Sequence, residues 1–152
     1  MSLWRPSRET VLWTFVITLL LLMQWPMIKG TWYKHLGGPP PPSPIAWRSD
    51  YAAALDEARR TNRLVLVDFT ANWCPPCITM KHEVWPDAEI AAAVQDGYVP
   101  LRIDIDRQPE VAARYEVGGI PDVLVLDTDG TLLRRASFLS TGGMMQFLLE
   151  RE

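Results

Sequence analysis

Val65 to Cys77, VLVDFTANWCPPC, is the stretch from which the rest of the chain can be ordered. An apolar, β-branched run holding one carboxylate, Asp68, leads through Trp73 into two cysteines spaced C-x-x-C, Cys74 and Cys77, with Pro75 and Pro76 between them. The continuous apolar character from Leu64 to Thr70 predicts a central strand covered on both faces. A helix leaves its first N–H groups unpaired, so two prolines at its start cost little, and they place a helix N-terminus at Cys74. A thiol there lies at the positive end of the backbone dipole and ionises more readily. The pair suits a dithiol that opens and closes.

Cys74 and Cys77 are the only cysteines among 152 residues. A bridge across two intervening residues closes too small a loop to constrain the unfolded chain much. Stability is therefore a poor reason for the pair, and reactivity or metal binding remains. His82 completes C-x-x-C-x4-H, but a structural zinc site wants four ligands, and the only other histidine is His35. No metal site is assigned; His82 is read as a residue on a solvated helix face.

The formal net charge of −3 hides an asymmetry. From Ile45 onward there are 11 Lys/Arg and 17 Asp/Glu, a balance of −6, with no basic stripe. That argues against nucleic acid as a partner. Arg5, Arg8, Lys29 and Lys34 instead flank an uncharged run from Thr10 to Ile28. At a rise of about 1.5 Å per residue this run reaches roughly 28 Å, close to the hydrocarbon thickness of a bilayer. Trp13 and Trp25 stand near its ends, while Gln24 and Pro26 weaken its last turn. The residues after Met23 are too large for a signal-peptidase site. Residues 1–30 are accordingly read as a tail and transmembrane anchor, with a buried helix as the least favoured reading. Short tails carrying arginines usually stay inside, which places the following domain outside the cytoplasm, in the periplasm if the cell is bacterial. Residues 31–48 hold GGPPPPSP, Gly37 to Pro44, and read as an extended Pro-rich linker that keeps the domain roughly 25 Å from what precedes it.

Residues 49–152 form the remaining domain. Ser49 or Asp50 can cap a helix that runs to the Thr61-Asn62 break. Helical signals resume from Cys74 to about Val94, interrupted at Pro86-Asp87. Tyr98 to Asp104 reads as a second strand and Pro109 to Tyr115 as a short helix. Asp127-Thr128-Asp129-Gly130 reads as the turn of a hairpin between Val123–Leu126 and Thr131–Arg135. A last amphipathic helix covers about Thr141 to Leu149, with Met144 and Met145 as core and cap residues. The order implies an α/β fold, a mixed sheet with helices on both faces.

With these elements in place the chain resembles the thioredoxin family. The W-C-x-x-C of Trp73 to Cys77 after V-D-F, the I-D-x-D-x-x-P run of Ile103 to Pro109, the YEVGGIP of Tyr115 to Pro121 and the hairpin after it fall in that family's order. The F-T-A-N-W-C start and the E-V-W-P-D that follows look most like the membrane-tethered and periplasmic branch that includes the C-terminal domain of DsbD. The resemblance implies a thioredoxin-like sheet and roles for particular residues. Cys74, nearer the helix start and the more exposed, would attack. Cys77 would resolve the mixed disulfide. Asp68 would be the buried acid that exchanges a proton with Cys77, and Arg102 takes the place of a lysine often found near it, unless it is a plain surface arginine. Pro121 matches the family's cis-proline, with Ile120 and Trp73 beside it to receive an extended substrate, and Pro75 and Pro76 shape the loop. Asp122 departs from the usual neutral residue, and a carboxylate there would disfavour the Cys74 thiolate.

The function expected from these residues is that of a membrane-tethered thiol:disulfide oxidoreductase reducing extracytoplasmic protein disulfides. It needs no bound cofactor, since no dinucleotide motif such as G-x-G-x-x-G is present. Its partners would be protein disulfide substrates, a second protein supplying or accepting electrons, and the membrane through residues 10–28. The alternative is a non-catalytic metal- or haem-assembly chaperone or adaptor using a thioredoxin-like surface.

Overall fold

Strand β1 (Leu64–Thr70) lies inside the sheet, as its apolar run predicts, flanked by a parallel neighbour β2 (Tyr98–Asp104) and an antiparallel one, β3 (Asp122–Leu126). A computed structural model describes residues 7–150. Among them the sheet order is β2-β1-β3-β4, with β4 (Leu132–Ala136) closing the hairpin after β3. Gly130 takes a left-handed φ of 85° in that turn, a conformation that favours glycine.

Successive side chains of a strand point to opposite faces, and β1 uses both. Val65, Val67 and Phe69 pack with Val99, Leu101 and Ile103 against helices α3 (Tyr51–Thr61) and α6 (Pro109–Arg114). Leu66 enters the opposite core with Met80, Trp85 and Ile90, below helices α4 (Pro75–Glu83), α5 (Ala88–Gly97) and α7 (Thr141–Leu149). Asp68 has the parity of Leu66 and therefore lies on the α4 side. Caps agree with the sequence: the Asp50 side chain accepts from Ala53 N at 2.9 Å to start α3, and Asp87 accepts from Glu89 N and Ile90 N to restart the chain as α5. Met144 is fully buried and Met145 packs against the same core.

The N-terminal third differs from its sequence reading. The apolar run is not one rod but two helices, α1 (Arg8–Met23) and α2 (Trp25–His35), bent by 56° at Gln24. Neither alone is long and apolar enough to cross a membrane; the bent pair passes such a test together, by length and composition only. The break falls where Gln24 and Pro26 weaken the helix, because proline removes an N–H and favours the first turn of a new helix. Helix α1 buries none of its residues, and Leu12, Trp13, Phe15 and Leu22 are each more than 60 % exposed.

Helix α2 packs against α4 and so does not stand off from the domain as a spacer would hold it, yet the apolar run is not a buried helix, since α1 buries none of its residues and α2 only Gly30. The Pro-rich stretch Gly37 to Pro44 serves as the return path instead. Within it the Ser43 hydroxyl donates to the Trp85 carbonyl at 2.7 Å, and just beyond it Ile45 is 4 % exposed in the core.

Candidate active site

Strand β1 delivers the chain through Ala71 to Trp73, and Cys74 caps α4, its sulfur accepting from Cys77 N at 3.2 Å. The two cysteines form a disulfide with their Cα atoms 5.3 Å apart. Both are only 2 % exposed, so the expectation that Cys74 is the more open of the two is not met. They pack with Ala71 and are touched by Ile105 and Ile120.

The antiparallel pairing of β1 with β3 sets Phe69 opposite Asp122, which carries the residues just before β3 to the end of β1 where the cysteines stand. The Ile120–Pro121 peptide is cis, and the Ile120 carbonyl oxygen lies 3.6 Å from Cys74 Sγ. Trp73, 55 % exposed, flanks the site, its indole N–H donating to Asp106 Oδ2 at 2.8 Å. Asp106 and Ile105 belong to the I-D-x-D-x-x-P run of Ile103 to Pro109. The I-D-x-D pattern marked the run, but nothing in it said that one residue would hold the tryptophan and another cover the sulfurs.

Asp68 and Arg102 face each other across β1 and β2, and the guanidinium Nε donates to the carboxylate at 2.8 Å. Asp68 is 2 % exposed, so its charge is met by a partner, as a buried carboxylate requires. Arg102 is thereby no plain surface arginine; it also lies over the Trp47 ring at 4.1 Å. A polar cavity of about 340 Å³ opens beside it, lined by Trp47, Thr70, Lys81, Arg102 and Asp104 among others. Burial, and secondarily the Arg102 charge, pushes the Lys81 amine below its ordinary pKa. Asp122 is buried, which pushes its carboxyl up, while Arg135 at 3.4 Å pulls it down. It therefore faces a cation rather than standing alone beside the thiol.

His82 does not lie on a solvated face. It stacks on Tyr33 of α2 with ring centroids 4.1 Å apart, and burial there lowers its pKa. Among the described residues no group of three or more His, Cys, Asp or Glu is placed to hold a metal ion.

A strand-turn-helix that sets a C-x-x-C pair at a helix N-terminus, opposite a cis-proline loop, defines a dithiol–disulfide exchange domain. A thioredoxin-like family model matches residues 46–128, and the chain belongs to that family. It is 30 % identical over 96 residues to thioredoxin of Mycoplasmoides gallisepticum, an alignment covering 63 % of this chain and 92 % of that protein. It is 35 % identical over 92 residues to the thiol:disulfide interchange protein DsbD of Pseudomonas sp. (strain JR1 / K1), covering 58 % of this chain but 15 % of that one. The crystal structure of the Neisseria meningitidis DsbD C-terminal domain in the oxidised form superposes with a TM-score of 0.57 at 25 % identity, covering 70 % of this chain and all of that domain. The protein is thus a DsbD-like thiol–disulfide oxidoreductase of the thioredoxin family.

Proposed function

We infer that the protein is a membrane-tethered reductant of protein disulfides, with its domain outside the cytoplasm. The observation that carries the redox part is the Cys74–Cys77 pair at the start of α4, with the Ile120 carbonyl 3.6 Å from the Cys74 sulfur and the Asp68–Arg102 pair on the α4 side of the sheet. In the reduced protein the Cys74 thiolate attacks one sulfur of a substrate disulfide. An S–S bond forms between Cys74 and the substrate, and the substrate's other sulfur leaves as a thiolate that takes up a proton. Cys77 then loses its proton and attacks Cys74 Sγ. The Cys74–Cys77 disulfide closes, the second substrate thiol departs, and two electrons have moved from protein to substrate.

Asp68 is the acceptor for the Cys77 proton, relayed by water from the α4 side of the sheet, and Arg102 keeps it oriented. Trp73, Ile120 and Pro121 receive the substrate backbone as an added strand would be received. Pro75 and Pro76 stiffen the turn between the sulfurs. A second protein dithiol must reopen the disulfide for another cycle.

Tethering is supported by α1. Sixteen residues that bury nothing and expose leucines, tryptophan and phenylalanine all round suit lipid rather than water. At about 1.5 Å per residue α1 spans roughly 24 Å, short of a hydrocarbon core of about 30 Å. The aromatic and basic α2, with Trp25, Trp32, Lys29 and Lys34, has the composition of an interfacial segment.

Reduction of insulin by the full chain in detergent micelles tests the activity. The wild-type protein precipitates the insulin B chain in the presence of dithiothreitol, and Cys74→Ser does not. Equal rates for the two sink the proposal. A reporter fused after Glu152 that is active only in the cytoplasm overturns the placement.

A further inference from the structure

Helix α2 lies on the surface that a protein substrate of this reaction has to reach. Its Gly30 approaches the first turn of α4 so closely that a Cβ placed there would stand 1.7 Å from the Pro75 carbonyl oxygen. Such an approach fixes glycine at position 30, and Pro75 is the residue directly after the attacking cysteine. The rest of the contact is largely polar. Lys29 Nζ donates to Glu83 at 2.8 Å and the Tyr33 hydroxyl donates to the same carboxylate at 2.9 Å. The Thr79 hydroxyl donates to the Pro26 carbonyl at 2.9 Å, and Tyr33 stacks on His82. Lys29 and Glu83 each remain about one-third exposed.

On the far side, a cavity of about 540 Å³ runs from Met23, Pro26 and Met27 along Pro76 to Gly119, Ile120 and Pro121, and neither cysteine is among its lining. The two cysteines, each 2 % exposed, pack against Ile105 and against Ile120 of the cis-proline loop, while α2 lies on Pro75, the residue that follows Cys74. A small dithiol needs only a brief opening to touch Cys74. A folded protein must lay its own backbone along Pro75, Pro76 and Ile120, and α2 occupies the Pro75 part of that surface.

We propose that α2 is a displaceable cover on the exchange surface: docked on α4 it excludes protein thiols and disulfides from Cys74, and lifted it admits them. This rests on the oxidoreductase reading above and adds the control of access to that site. The apparent rate toward a protein partner is then the intrinsic rate multiplied by the fraction of molecules with α2 lifted. The Lys29–Glu83 pair, about one-third exposed, suits a contact that opens and closes, because solvent-accessible ion pairs hold weakly in water.

Gly30→Leu is the direct test. Leucine is a better helix former than glycine, so α2 stays helical while its contact with Pro75 is blocked. The full chain in detergent micelles, oxidised at Cys74–Cys77, is mixed with dithiothreitol or with a reduced bacterial thioredoxin, and opened disulfide is trapped with a maleimide. Hydrogen exchange across residues 25–35 reports docking in the same samples. The expected result is faster exchange in α2, a rate with thioredoxin raised about tenfold or more, and a rate with dithiothreitol changed less than about twofold. Should Gly30→Leu fail to fold, the double variant Lys29→Ala/Tyr33→Phe removes two anchors of the same contact and is held to the same result.

Faster exchange in α2 with an unchanged thioredoxin rate overturns the cover, and so does α2 exchange that is already unprotected in the wild-type chain or stays unchanged in the variant. A disulfide that dithiothreitol itself cannot open points instead to failure of the oxidoreductase reading, and the cover falls with it.

Discussion

Removing Arg102 should cost the protein more than neutralising Asp68, although the two share one bond. Asp68 is 2 % exposed, while the Arg102 side chain is 25 % exposed. Arg102→Ala leaves a carboxylate buried without its 2.8 Å partner. Breaking a buried pair in that way costs about 3–5 kcal/mol, and the partial exposure of Arg102 puts this case near 3. The lost stacking over Trp47 adds about 0.5–1 kcal/mol. Asp68→Asn keeps an oxygen where Nε donates and deletes the buried charge, so about 1 kcal/mol is lost. A difference of about 2–3 kcal/mol corresponds to roughly 10–20 °C in melting temperature for a domain of about 100 residues. Thermal unfolding of the full chain in micelles, followed by near-ultraviolet circular dichroism, should rank Arg102→Ala well below Asp68→Asn. The double variant should melt above Arg102→Ala alone, because asparagine no longer needs the cation. If Asp68→Asn melts as low as Arg102→Ala, or the double variant is as unstable as the sum of the singles, the carboxylate is not the member of the pair that depends on the other.

Two further outcomes follow from the charges around the site. Docking of α2 should weaken on acidification, because the pKa values of His82 and Glu83 are both lowered in the docked state. Burial lowers that of His82, and the bonds from Lys29 and Tyr33 outweigh burial at Glu83. Stability from groups of this sign is complete above their free values and is lost as pH falls below about 6.5 for histidine and then about 4.3 for glutamate. Tyr33, raised chiefly by its bond to Glu83, has the opposite sign, so its contribution is lost only above about pH 10. Protection of residues 25–35 from hydrogen exchange, corrected for intrinsic rates, should drop between pH 7.5 and pH 5, and equal protection at both would contradict the assignment. Asp122→Asn should speed alkylation of reduced Cys74 at pH 7 by less than about threefold. An uncompensated neighbouring carboxylate could account for about 1 kcal/mol, roughly fivefold, but Arg135 at 3.4 Å offsets most of it; a rise of tenfold would mean that Arg135 does not screen it.

The exchange domain was legible because each of its elements carries a local signal. The β-branched run Leu64 to Thr70, the caps Asp50 and Asp87, and the glycine turn at Gly130 each state their own conformation, and the structure places them within a residue or two of their sequence bounds. Asp68 was legible for a related reason: a carboxylate in an apolar run has to be met by something, and the parallel register of β1 and β2 supplies Arg102. The pairing of Trp73 with Asp106 was not, since it joins residues 33 positions apart through a loop whose path no local rule sets.

The packing of α2 was not legible for a different physical reason. An apolar run of nineteen residues fits lipid and protein alike, and periodicity cannot choose between them. Gln24 and Pro26 announced a weak turn, but a weak turn sets where a helix bends and not what the next helix lies on. The deciding residue is Gly30, whose missing Cβ lets α2 rest on the Pro75 carbonyl. In a sequence it is one glycine near the end of an apolar run, indistinguishable from a cap or a break. Only the second surface, the first turn of α4, gives it meaning, and that surface already carried a reading of its own as the place where substrates arrive. Position 30 therefore links two features that the sequence presents as separate, the apolar leader and the C-x-x-C turn. A side chain there is the smallest change that would separate them again.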